Sequence, residues 1–199
     1  MKKRLKDELA YLIKNNLKGY ILIACIFLSG FMLSYALNVS VGAEEEIKHY
    51  IEDFLTSVKN YGTDFNKTFR LAMLGYIESL IILYFLSLSV LGSAGTLVFV
   101  FLKGLSYGIV LTSSFFVVGN DAIGMFLCLI LPHAIISLPC FLGYSHHCFM
   151  NAYSVLKGVK DLKKRVLIPL VFGVVSLGFL SVAALIQAYF EPILTRTIL

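Results

Sequence analysis

The chain has 199 residues, of which 58% are hydrophobic and 15% charged, with a mean hydropathy of +0.84 and a formal charge of +5. Soluble domains carry about a quarter charged residues, so this balance excludes an ordinary soluble globule and points to an integral membrane protein. The positive charge does not point to nucleic acid, because it is concentrated beside the apolar runs, with Lys2, Lys3, Arg4, Lys6, Lys14 and Lys18 before the first and Lys157, Lys160, Lys163, Lys164 and Arg165 before the last. Such juxtamembrane clusters stay on the cytoplasmic side and can attract anionic lipid.

Residues 1–18 place Leu5, Leu9, Leu12, Ile13 and Leu17 at helical spacing with lysines and Asp7-Glu8 opposite, which predicts an amphipathic helix on the inner leaflet, serving first of all as a plain anchor. A bilayer-crossing helix needs about 20 apolar residues. Five runs qualify, 19–39, 71–91, 96–118, 122–143 and 166–190, so the expected fold is all-α, a single-domain polytopic bundle of about five transmembrane helices. An N-terminus inside then puts the C-terminus outside. The 143–165 segment becomes a cytoplasmic loop, and Ser40 to Arg70, with six acids against four bases, lies outside.

Within that outer segment, residues 44–61 carry Ile47, Tyr50, Ile51, Phe54, Leu55, Val58 and Tyr61 at i, i+3, i+4 spacing behind Glu44, Glu45 and Glu46. The acids favour a helix N-terminus, so a second amphipathic helix is expected there. Its apolar face, with Ile51, Phe54 and Leu55, either packs on the bundle and outer leaflet or docks an extracytoplasmic partner.

Span two carries Glu78 and span three Lys103, each roughly 10 Å deep from opposite faces at ~1.5 Å per residue, leaving an axial offset of roughly 10 Å. A charge at the bilayer centre costs at least ~2.5–3.5 kcal/mol, which predicts an ion pair, or a contact with His133, facing the bundle interior. The same span has Gly104 and Gly108 on one face, where a second helix of this chain or of another copy can approach closely, a possible homodimer.

Span four holds Leu131-Pro132-His133-Ala134-Ile135-Ile136-Ser137-Leu138-Pro139. Each proline removes an N–H and crowds the carbonyl four residues back, so a bend or break is expected, and the freed groups need partners away from lipid. Pro132, His133 and Pro139 therefore mark this segment as the inner helix. Beyond it Cys140, His146, His147 and Cys148 fit no zinc spacing, and His133 with Ser137 lacks a third group to complete a triad. No metal, cofactor or enzymatic chemistry is expected, and the four cysteines, all in or beside apolar segments, imply no disulfide framework.

Leu131-Pro132-His133-x4-Leu138-Pro139, Phe101-Leu102-Lys103-Gly104-x3-Gly108 and the run from Ala183 to Pro192 at the end of span five, taken in order, resemble the stage II sporulation protein M family. The resemblance implies a non-enzymatic scaffold of engulfment in the bacterial cell membrane, at the sporulation septum. Its implied partners are stage II sporulation proteins D and P, the septal peptidoglycan hydrolases. The alternative reading is a small transporter or permease subunit with Glu78, Lys103 and His133 along a polar path.

Overall fold

A computed structural model describes residues 2–41, 49, 64–118, 131–157 and 162–198. Five helices are described: α1 (Lys2–Val41), α2 (Phe65–Leu88), α3 (Gly92–Val118), α4 (Leu131–Leu156) and α5 (Leu162–Ile198). No strand occurs among the described residues, and four of the helices contain stretches long and apolar enough to cross a membrane, Leu17–Leu37, Phe65–Leu88, Gly92–Thr112 and Arg165–Phe190. The expected fourth span, 122–143, lies only partly within the described residues. The outer amphipathic segment, with Ile51, Phe54 and Leu55, lies outside them.

Helix α1 runs without a break through the junction where a surface helix was expected to give way to a span. At that junction Gly19 makes room for the His146 ring, since a methyl group in its place would meet Cδ2 of that ring at 2.8 Å. Helix α2 starts six residues before the apolar run, because Asp64 caps it by accepting a hydrogen bond from the Asn66 amide at 3.0 Å.

Only Ser89, Val90 and Leu91 separate α2 from α3. The turn is held by Ser89 N–H donating to Leu86 O and Gly92 N–H donating to Ser89 O, each at 3.1 Å. Gly92 is required here, as any side chain would strike the Leu86 carbonyl. So short a connection makes α2 and α3 antiparallel neighbours.

Helix α4 is the centre of the bundle, packing against each of the other four, while α1 with α3 and α2 with α5 form the two closely packed flanking pairs. All five helices contribute to one core: Ile23 and Phe27, Leu80 and Leu83, Val100, then Phe141, Tyr144 and Cys148, and finally Leu180. The inner position read from the proline-flanked stretch is therefore observed. Of the bend or break expected there, the break does not occur at Pro139, where the helix continues. Pro132 is half-buried, and Pro139 lies on the exposed side with Ile135.

The predicted cytoplasmic loop 143–165 is corrected over its first half, which is helical to Leu156. Tyr144, Ser145, His146, Cys148 and Ala152 are buried there. Their burial, not apolarity, carries the helix onward.

Candidate functional site

The interior of α4 supplies the polar groups that any function at membrane depth would use. His133 and Ser137 lie one turn apart and both are buried, with the half-buried Tyr107 of α3 directed at Ser137. Most buried hydroxyls in the bundle are satisfied on their own helix: Ser34 donates to Phe31 O, Ser79 to Gly75 O, Ser87 to Tyr84 O and Thr96 to Gly92 O, all within 2.6–2.7 Å. Ser137 and Ser145 of α4 differ: among the described residues neither buried Oγ meets a partner at full hydrogen-bonding geometry, Tyr107 approaching Ser137 without completing such a bond. Unpaired buried polar atoms are costly and are tolerated where specific packing enforces them.

Further along α4 a second polar layer ties the bundle together. His146 stacks on Tyr20 of α1 with ring centroids 3.8 Å apart, and His147 stacks on Phe172 of α5 at 4.1 Å. Asn151 Nδ2 donates to Ser87 O of α2 and to Arg165 O of α5, both at 3.1 Å, so one side chain joins three helices. Cys140 Sγ approaches Ser176 O of α5 at 3.5 Å. His133 and His146 are thirteen residues apart on one helix, roughly 20 Å along its axis. They do not form one centre. Among the described residues no three His, Cys, Asp or Glu side chains converge as metal ligands would, and the described cysteines Cys25, Cys140 and Cys148 are free thiols.

The intramembrane charges are placed differently from the expectation. Glu78 is exposed on α2, whereas Lys103 is half-buried on α3 with Nζ 5.8 Å from the centre of the Phe99 ring. The two act on each other electrostatically, but among the described residues they make no salt bridge within 4.0 Å. An interior ion pair between them is not present. The reason lies on α2, where Ser79, Leu80 and Leu83 occupy the buried face and turn Glu78 outward.

The glycine motif is the best-defined contact. A methyl group at Gly104 would strike the Phe27 carbonyl, one at Gly108 would strike Ser34, and one at Gly30 would strike the Phe101 carbonyl. Helices α1 and α3 thus interlock through Gly30 and Ser34 on one side and Gly104 and Gly108 on the other. The face that could have served a second copy is filled by the chain's own first helix.

A family model for stage II sporulation protein M matches residues 19–192, from the start of the first apolar run to Pro192. The chain belongs to the stage II sporulation protein M family. No curated protein and no solved structure matches it. Within this family member the matched region takes in the α1–α3 interlock, all of α4 and the apolar part of α5, so the family pattern coincides with the packed bundle.

Pro132, His133 and Pro139 share α4, and Lys103, Gly104 and Gly108 share α3, while Glu78 stands apart on an outer face. Three positions that join the helices are not among those singled out from the sequence. Gly30 and Ser34 are themselves a small-xxx-small pair and could have been found by the spacing that revealed Gly104 and Gly108. Asn151 carried no such signal, because a single amide near the end of an apolar run looks the same whether it faces water or bridges helices.

Proposed function

We propose that this membrane protein of a sporulation family is a non-enzymatic scaffold of engulfment, holding stage II sporulation proteins D and P so that septal peptidoglycan is thinned and the mother-cell membrane migrates around the forespore. The observation that carries the reading is the family match across residues 19–192. The bundle supports it physically, since Asn151 and the stacked His146 and His147 of α4 serve as cross-links between helices. The transporter reading has less support, because the carboxylate it needs, Glu78, faces outward.

In this reading the N-terminus and the basic 157–165 segment are cytoplasmic, and residues 44–61 lie outside, where Ile51, Phe54 and Leu55 meet the hydrolases. Phe54→Ser with Leu55→Ser alters no span, so the variant should insert at the parental level yet recover less of both partners in a pull-down and delay engulfment. Parental recovery by an inserted double variant would place the docking surface elsewhere. Normal engulfment in cells lacking the protein would overturn the scaffold itself.

A further inference from the structure

A groove of about 410 Å³ runs between α2 and α5, floored by Tyr144 of α4. Its walls are Ile81, Tyr84 and Phe85 on one side and Leu170 and Val174 on the other, and it falls within the size range of ligand sites, ~300–1,000 Å³. Both walls belong to helices long and apolar enough to span a membrane, so the groove opens on hydrocarbon. Helix docking in a bilayer favours small residues that let backbones approach. This lining is bulky and aromatic, which suits a flexible chain better than a helix.

Charge specifies the rest of the occupant. Leu177, Leu170 and Lys163 are spaced by seven residues, two helical turns, and so lie on one stripe of α5, with Lys163 exposed roughly 10 Å beyond Leu170 along the axis. Arg165 lies between them in height but on another face of α5, the stripe of Phe172 that packs on α4. Its Nη2 donates to Ser154 O of α4 at 3.5 Å, and its buried Nε meets no partner among the described residues. Lys157 is at the same end, over the Tyr153 ring at 4.6 Å. The segment 157–165 carries five bases and one acid, Asp161. The apolar groove thus ends below the exposed Lys163, with Lys157 and Arg165 at the same end of the bundle.

We propose that this groove binds one anionic phospholipid, with an acyl chain along Phe85, Tyr144 and Val174 and the phosphate at Lys163. The site would hold the lipid against the α2–α5 pair at the membrane face where α5 begins. Neutral lipid fits the groove but leaves Lys163 uncompensated. The site therefore discriminates by headgroup charge.

The chain contains no tryptophan, which allows a direct test. Phe85→Trp puts a single fluorophore in the groove, and Val98→Trp, at an exposed position of α3, supplies a control in the same protein. Each full-length variant is reconstituted in vesicles containing phosphatidylglycerol or phosphatidylcholine with brominated acyl chains, and quenching is compared. Phosphatidylglycerol should be preferred roughly fivefold at Phe85→Trp, about the worth of one cation beside an anionic surface, and not at Val98→Trp. Adding Lys163→Gln should bring the preference close to one, and because Lys163 is exposed the change leaves the packing of the bundle alone. Equal quenching by the two lipids at Phe85→Trp, or a preference untouched by Lys163→Gln, overturns the proposal. Weaker quenching by both lipids than at Val98→Trp would show a second copy filling the groove, and would also overturn it.

Discussion

At the scale of single residues, glycines in this bundle divide sharply by what surrounds them. Gly30 and Gly104 face backbone carbonyls that cannot swing aside, whereas Gly75, Gly143 and Gly178 have open space where a methyl group would go. Gly104→Ala and Gly30→Ala should therefore separate α1 from α3 and destabilise by about 1–3 kcal/mol or more, as overpacking does. Gly75→Ala and Gly178→Ala should be neutral or stabilising by up to ~1 kcal/mol, the helix-propensity gain. Thermal unfolding of the purified protein in one detergent measures all four. A similar contrast applies to charge. Breaking a buried ion pair costs ~3–5 kcal/mol, but Glu78 is exposed, so Glu78→Gln should not lower membrane abundance. The sequence placed Glu78 and Lys103 at compatible depths and left their azimuth open. Azimuth is set by which residues of α2 find the core, and Ser79, a hydroxyl satisfied by its own helix, was no more conspicuous than its neighbours as an inward-facing residue.

Helices, taken as elements, owe their boundaries to partners on other helices. The extension of α4 past residue 143 depends on Tyr20, Phe172, Ser87 and Arg165, all on other helices, and polar residues after an apolar run otherwise read as loop. Hence the central role of this helix was legible from its prolines, while its true length was not. Asn151→Leu removes donors from two carbonyls on α2 and α5. It should cost about 1–3 kcal/mol, seen as a lower melting temperature with helical content retained below the transition. Pro139→Ala should act in the opposite sense. The proline sits within a continuous helix on its exposed side, and restoring the N–H for the Ile135 carbonyl recovers part of the ~3 kcal/mol that an interior proline costs.

For the whole molecule, the basic clusters predict how the bundle lies in the membrane. Lys67, near the start of α2, and Lys157, just after α4, are both exposed and should lie on opposite sides. In a chain stripped of its native cysteines, Lys67→Cys should react with an impermeant thiol reagent on intact cells, and Lys157→Cys only after permeabilisation. The reverse pattern would invert the topology.

The α1–α3 interlock also bears on how the protein is made. Gly30 is synthesised 74 residues before Gly104, and at ~5–20 residues per second the first helix waits roughly 4–15 seconds for the surface that will cover it. Throughout that interval the indented stripe of Gly30 and Ser34 lies open to whatever the insertion machinery or the bilayer presents. Nascent chains arrested before α3 emerges should accordingly crosslink from Ser34 to the insertion machinery or to lipid, and lose that crosslink once Gly108 has entered the membrane.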